Sequence, residues 1–293
     1  MYDHRDKAGN RADVWKHFVL LSVVRGLVEG RAFLGDPIDY VESHAGGGRY
    51  AAVEGAAWEE GAGRLLAAGG PDLAAMPERL RTHPYLRLLH TAMHPECGRA
   101  EYHGSWYLVG EFLDSEVVPY TMALCETSDE AGSQLNTVLC ADLEAGRLWP
   151  GVTVHDGSDG YAVAAAHQEA ALVFIDPPYA PRGQGDWNEV TYTARLLAEA
   201  GTGVLIWYPI TADPETEARL AALYSAAGSG ARGAELRWTE AGEPGTLTGC
   251  GMLAAGSAAQ VFAEQLNDDA QGALALLAER LGGRVRLVAP FAD

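Results

Sequence analysis

The sequence predicts an α/β protein built on a doubly wound, mostly parallel sheet, and three observations carry that prediction. Short apolar runs of strand length recur between segments long enough for helices, one run leads directly into a glycine-rich loop, and two others end on a carboxylate. With 293 residues, 48% of them hydrophobic, the chain can bury a sizeable core, and no repeat or low-complexity linker divides it. One domain carrying an insertion is the expected organisation.

The first helix should begin at Asn10, whose side chain suits an N-cap, with Asp13 three residues on in the place of a capping-box acid. Val14, Phe18, Leu21 and Val24 follow at helical spacing as a buried stripe, with Lys16 and His17 beside it near the helix start. After Gly35-Asp36-Pro37 a strand is expected from Ile38 to Ser43, running into His44-Ala45-Gly46-Gly47-Gly48-Arg49. Residues 51–101 read as helical, broken at Gly69-Gly70-Pro71 and His83-Pro84, and hold no convincing strand. They are expected to form an inserted helical subdomain, with 1–50 and 102–293 making up the main domain. Further strands are expected from Thr121 to Glu126, Val152 to His155, Ala171 to Ile175 and Gly203 to Tyr208. Ala234 to Trp238 and Gly251 to Ala255 suit closing strands, before a helix from Ala270 to Leu281 and a strand from Arg284 to Ala289.

Charge is distributed unevenly. The chain has 21 Lys and Arg against 40 Asp and Glu, a net of −19, which argues against nonspecific attraction to phosphate backbones or anionic membranes. Residues 1–50 hold seven of each sign, so the whole deficit lies in the remainder. Both lysines, Lys7 and Lys16, fall in that neutral stretch with Arg5 and Arg11, a local cationic patch of the kind an approaching anion requires. The four cysteines, Cys97, Cys125, Cys140 and Cys250, are scattered without a CxxC pair, so neither a zinc ribbon nor a disulfide framework is expected, and a reducing cytoplasm fits. The polar N-terminus does not suit a signal peptide, and no apolar run is long enough to span a bilayer.

The motif Asp176-Pro177-Pro178-Tyr179 follows the apolar run Leu172-Val173-Phe174-Ile175, hence sits at a strand's carboxyl end, where open α/β sheets bind ligands. A carboxylate and a neighbouring backbone carbonyl can together accept both hydrogens of a planar amino group, while prolines stiffen the loop and Tyr179 stacks on the attached ring. Catalysis would then come from positioning and from dispersing charge on the nitrogen. Glu126, ending the strand that includes Met122-Ala123-Leu124-Cys125, suits two ribose hydroxyls, because a carboxylate accepts both at once. The loop at His44 to Gly48 allows close backbone approach without the full GxGxxG spacing of a dinucleotide site. Asp159-Gly160-Tyr161 can bracket an adenine, and Asp156-Gly157 competes for that role.

Together these features match S-adenosylmethionine-dependent amino methyltransferases. The stretch from Tyr2 through His4, Lys7, Ala8-Gly9-Asn10, Asp13 and Lys16-His17 resembles the N-terminal signature of the RlmJ family, adenine-N6 methyltransferases of large-subunit ribosomal RNA. His44-Ala45-Gly46-Gly47-Gly48-Arg49-Tyr50, Gly104-Ser105, Glu126, Asp176-Pro177-Pro178-Tyr179, Trp207-Tyr208-Pro209 and Gly249-Cys250-Gly251-Met252 recur in the family's order. The resemblance implies a Rossmann-like class I methyltransferase: a mostly parallel seven-stranded sheet with a helical insertion and an N-terminal segment folded over the site. It implies cofactor contacts at Lys16, His17, His44, Gly46, Ser105, Glu126, Asp159, Gly160 and Asp176. Asp176 is the implied catalytic acid, aided by Pro177 and Tyr179, and Tyr2, His4, Lys7 and Tyr179 are implied to meet the substrate. S-adenosylmethionine would leave as S-adenosylhomocysteine without a metal, and protein-free ribosomal RNA would be the substrate, with no membrane and no obligate protein partner.

Departures fall on the substrate side. Where the family reads Tyr-Arg-His this chain has Tyr2-Asp3-His4, and Glu243 to Thr248 lacks an arginine that family members carry before the Gly-Met strand. The same fold acting on an amino or amide nitrogen of a small molecule or peptide is the alternative reading, and a noncatalytic nucleic-acid-binding protein on the same scaffold a third.

Overall fold

The computed structural model describes residues 8–31, 36–51, 55–66, 76–93, 101–179, 184–239, 243, 245–265 and 268–289. In chain order the first elements are helix α1 (Arg11–Arg31), strands β1 (Ile38–Glu42) and β2 (Arg49–Ala51), and helices α2 (Ala56–Glu60), α3 (Ala62–Leu66), α4 (Glu78–Arg81) and α5 (Pro84–Ala92). Then come β3 (Glu101–His103), α6 (Ser105–Ser115), β4 (Tyr120–Glu126), α7 (Asp129–Glu144), β5 (Val152–Asp156), α8 (Gly160–Ala166), β6 (Leu172–Ile175) and α9 (Gln184–Ala200). The chain continues through β7 (Val204–Thr211), α10 (Thr216–Ala227), β8 (Arg232–Arg237), β9 (Leu247–Ala255), α11 (Ser257–Gln265), α12 (Asp268–Arg280) and β10 (Arg284–Val288).

The main sheet has the order β10-β8-β9-β7-β6-β1-β4-β5. Five neighbours, β5, β4, β1, β6 and β7, run parallel, and β9 lies antiparallel between β7 and β8. The expected seven strands become eight, because β10 adds antiparallel to the outer edge of β8. Its sequence Arg-Val-Arg-Leu-Val alternates charged with apolar residues, as an edge strand wetted on one side requires. Strand β6, Leu-Val-Phe-Ile, is apolar and buried throughout because both its faces are covered. On β6, Leu172 and Phe174 enter one core with α1, α6, α7, α11 and α12, while Val173 and Ile175 enter the other with α8, α9 and α10. Pro209 is tolerated within β7 because β6 pairs with that strand only up to Ile206.

Two expectations about the N-terminal half need correction. Residues 51–101 are not bounded without strands: Arg49–Ala51 pairs antiparallel with Glu101–His103, and this short ladder joins the ends of the helical segment. The first helix does not bury a stripe alone. Val14, Phe18, Leu21 and Val24 are buried, but so are Trp15, Lys16, His17, Val19, Leu20, Ser22 and Val23, since α11, α5, α6 and β9 pack around it. Its start is as the sequence suggests, with Asn10 Oδ1 accepting from the Asp13 amide at 2.9 Å. The reciprocal bond is shifted by one residue, as Asp13 Oδ2 accepts from the Gly9 amide at 3.0 Å. None of the described helices is long and apolar enough to cross a membrane.

Candidate active site

Sheet register gathers the predicted acids on one edge. Glu42 pairs with Leu124 of β4 and Phe174 of β6, so Glu126 and Asp176, each two residues further on, flank the first residues of the glycine loop. The loop is tied to both neighbours: the Ser43 amide donates to Phe174 O at 3.0 Å and the Ala45 amide to Cys125 O at 2.8 Å. The chain leaves β1 toward β4 and returns on the other side through β6, so the crevice lies at the reversal of strand order.

Asp176 is joined to the first helix. Lys16 Nζ donates to Asp176 Oδ2 at 2.8 Å and lies 3.0 Å from Asp13 Oδ1. Burial alone would lower the Lys16 pKa, but Asp13 and Asp176 outweigh it and hold the ammonium well above its ordinary value. Lys16 is therefore a buried, charged clamp on Asp176, not part of an open cationic patch, and Arg11, also expected in that patch, pairs with Glu60 at 3.3 Å. Asp176 Oδ1 makes no hydrogen bond among the described residues. Pro177 is buried behind it.

Tyr179 adopts φ 55°, a left-handed conformation that costs a non-glycine residue roughly 1–2 kcal/mol. The neighbours hold it there: its hydroxyl donates to Trp207 O at 2.8 Å, and its ring lies 4.7 Å from Trp187 and 5.8 Å from Trp207 between centroids. The ring expected to stack on a substrate base is thus 7% exposed and packed between two indoles.

On the other side of β1, Glu126 is oriented by backbone. Its Oε2 accepts from the Gly46 amide and its Oε1 from the Ser128 amide, both at 2.8 Å, leaving one lone-pair direction on each oxygen for a diol. Gly46 has φ 61°, and a Cβ there would lie 2.5 Å from the Tyr50 hydroxyl. His44 bonds Ser43 Oγ through Nδ1 at 2.8 Å and meets the Tyr161 ring edge-on. Asp159 caps α8, accepting from the Tyr161 amide at 3.0 Å, and a Cβ on Gly160 would lie 1.9 Å from Ser43 O. Backbone therefore meets backbone between the glycine loop and the start of α8. Asp156 is exposed on the far edge strand, one residue before Gly157.

Two groups escaped the sequence reading. Glu42, fully buried at the end of β1, accepts from Tyr40 Oη at 2.6 Å and from Ser105 Oγ. Burial pushes its pKa up from 4.5 to about 8 against the help of those two hydroxyls, with Asp176 adding to the rise and Lys16 opposing it. The available signal was its place, an acid closing the strand directly before the glycine loop. The second group is Tyr102 on β3, which bonds His17, and Tyr85 on α5, which bonds Tyr102. They lie 68 to 85 positions from His17 in sequence, and no local pattern points to them. Tyr2, His4 and Lys7 lie outside the described residues.

The arrangement brings together Lys16, Ser105 and Asp176 around Glu42 on one side, and His44, Gly46, Glu126, Asp159 and Gly160 on the other, while His17 contacts Tyr102 and Tyr85. A carboxylate with outward lone pairs beside a glycine loop fits the diol of a ribose.

No curated protein matches the chain in sequence. Among solved structures, a DUF519 protein of Legionella pneumophila shares 21% identity over 97% of this chain and 98% of that one, with a TM-score of 0.72, and shows the same fold. A probable spermidine synthase of Corynebacterium glutamicum is more distant, with 8% identity over 94% and 75% of the two chains and a TM-score of 0.45. So is precorrin 8W decarboxylase of Methanobacterium thermoautotrophicum, at 13% over 52% and 77% with a TM-score of 0.33, and neither bears on function. The family model described as ribosomal RNA large subunit methyltransferase D, RlmJ, matches residues 35–286, and on that match the chain belongs to this methyltransferase family.

Proposed function

We propose that this methyltransferase modifies the N6 amino group of an adenine in large-subunit ribosomal RNA, using S-adenosylmethionine. The observation that carries the reading is Asp176 at the end of β6, with Oδ2 fixed by Lys16 at 2.8 Å. Lys16 keeps the carboxylate oriented, so Oδ1 and the Pro177 carbonyl can accept the two hydrogens of an exocyclic amine. Holding both hydrogens aims the nitrogen lone pair away from Asp176 and disperses the positive charge that grows on nitrogen during transfer. Asp176 need not be a strong base, because the nitrogen sheds its proton only once its own pKa has fallen with bond formation.

When bound, S-adenosylmethionine supplies an electrophilic methyl on sulfur and leaves as S-adenosylhomocysteine. In this chain Glu126 would take its ribose hydroxyls, Gly46 and Gly160 would allow close approach along the loop, and Asp159 would lie on the adenine side. His17, His44 and Ser105 would meet the remainder of the molecule. A target base inside RNA must be splayed out to reach such a crevice. Tyr2, His4 and Lys7 are the residues proposed to meet it, while Tyr179, packed between Trp187 and Trp207, holds the loop in place. The segment 51–101 is proposed as an insertion into the methyltransferase domain.

The net charge of −19 favours a second reading, in which the acceptor is a small molecule or peptide with an amino or amide nitrogen, because each RNA phosphate contact requires a cation. Transfer of a radiolabelled methyl group to protein-free ribosomal RNA and to the small-molecule fraction of a cell extract separates the two. Label in RNA, recovered as N6-methyladenosine, is expected, and label confined to small molecules would refute the RNA assignment.

A further inference from the structure

Three rings lie in a row beside the Asp176 loop, and only the last of them keeps an open surface. Trp187 on α9 and Tyr179 are 6% and 7% exposed, with centroids 4.7 Å apart. Trp207 on β7 lies 5.8 Å beyond Tyr179 and is half-buried. The Tyr179 hydroxyl donates to Trp207 O at 2.8 Å, a bond that ties the Asp176 loop to the backbone carrying the open ring.

Sheet register sets this indole beside Asp176. Strands β6 and β7 run parallel, with Phe174 level with Leu205 and Ile175 level with Ile206, so Asp176 and Trp207 form the next rung. Phe174 and Leu205 enter the core beneath α1, Ile175 and Ile206 enter the other, and alternation returns residues 176 and 207 to the α1 face. Asp176 does bond Lys16 of α1 there. Met252, the β9 partner of Trp207, belongs to the α1 core, as does Cys250 two residues before it. The Cys250 thiol senses the charges of Asp13, Lys16 and Asp176, so this patch of β7 and β9 adjoins the ion-paired cluster. Neighbouring strands lie about 4.8 Å apart, which stands the carboxylate and the indole side by side.

An amine gripped by Asp176 Oδ1 and the Pro177 carbonyl must carry its substituent past this neighbour. An indole offers a flat π-surface, which suits a planar ring and gives little to a flexible chain. Tyr179, expected from the sequence to stack on the attached ring, is closed in between two indoles. We propose that Trp207 is the stacking platform for the acceptor, and that the methylated amine is therefore borne by a planar heteroaromatic ring, not by an aliphatic chain. The proposal rests on the reading above that Asp176 holds the acceptor amine, and it narrows the acceptor class of that same site.

Methyl transfer to protein-free large-subunit ribosomal RNA and calorimetry with S-adenosylmethionine test it in two variants. Trp207→Phe keeps a π-face, whereas Trp207→Leu keeps apolar bulk without one. In Trp207→Leu, kcat/KM for the RNA should fall roughly ten-fold or more, and in Trp207→Phe only a few-fold, with cofactor affinity unchanged in both. RNA should also quench the fluorescence of the unaltered protein, loaded with S-adenosylhomocysteine, more than that of Trp207→Phe. Equal kcat/KM in the two variants, or a loss of cofactor affinity matching the loss of transfer, would overturn the platform. If Trp207→Leu does not fold, the fluorescence decides, and equal quenching in Trp207→Phe would overturn it. Full activity in Asp176→Ala, or no transfer to the RNA by the unaltered protein, would instead remove the reading on which the proposal rests.

Discussion

Two buried glutamates in one sheet have opposite surroundings. Glu235, on β8 and 2% exposed, accepts from Tyr208 Oη at 3.2 Å and is flanked by Arg237 Nε at 2.9 Å and Arg286 Nη1 at 3.7 Å. Glu42, on β1 and fully buried, also accepts from a tyrosine, but its other direct partner is the Ser105 hydroxyl, and the nearest charges, Lys16 and Asp176, work against each other. A carboxylate beside guanidinium groups is a charge-balanced fixture of the fold. One held by hydroxyls alone keeps a high proton affinity, and such perturbed groups collect where ligands bind. Glu42 stands behind Ser105 and Asp176, whereas Glu235 stands at the edge where β8, β9 and β10 close the sheet.

The largest difference between the two edges should come from the acid at the crevice itself. Asp176→Ala is expected to lower methyl transfer by about 10³-fold while cofactor binding changes only a few-fold, read by single-turnover transfer and calorimetry. Equal loss of binding and transfer would show that Asp176 chiefly builds the cofactor site. Next, Glu235→Gln should cost about 2 kcal/mol in urea unfolding, because the charge-assisted bond to Arg237 is lost, with turnover per folded molecule unchanged. A fall in turnover at constant stability would remove the distinction between the two glutamates.

The last effect is a slope. The Glu42 carboxyl binds its proton more tightly in the folded protein, at about 8, than at the ordinary 4.5 of an unfolded chain. Between those values the folded state holds a proton that the unfolded state has lost, so this group's contribution is full below about 4.5 and is lost as pH rises through 8. Glu42→Gln should remove that component, on the order of 1 kcal/mol per pH unit, from unfolding free energies measured at pH values across this window. An identical slope in the variant would place the titration elsewhere.

The centre of the main sheet was legible in the sequence because β6 and the start of β7 are buried on both faces and read as continuous apolar runs, Leu-Val-Phe-Ile and Val-Leu-Ile. The ladder of Arg49–Ala51 with Glu101–His103 was not, since three residues on each side hold no period and the pairing spans fifty positions. Asp176 and Glu126 could be picked out as acids ending strands, and sheet register does place them on either side of the glycine loop. Glu42 has the same signature but sits one pleat deeper, where only the packed structure shows it to be dry. Lys16 carries its charge into the interior because Asp13 lies one turn away and Asp176 arrives from 160 positions later. Nothing local to residue 16 reveals that second partner.

Mass spectrometry of nucleosides from the ribosomal RNA of cells with and without this protein puts the substrate assignment to the test. The account predicts that N6-methyladenosine at one large-subunit site disappears with the protein, returns with the unaltered chain, and does not return with Asp176→Ala. Unchanged N6-methyladenosine in the RNA of cells lacking the protein would contradict it.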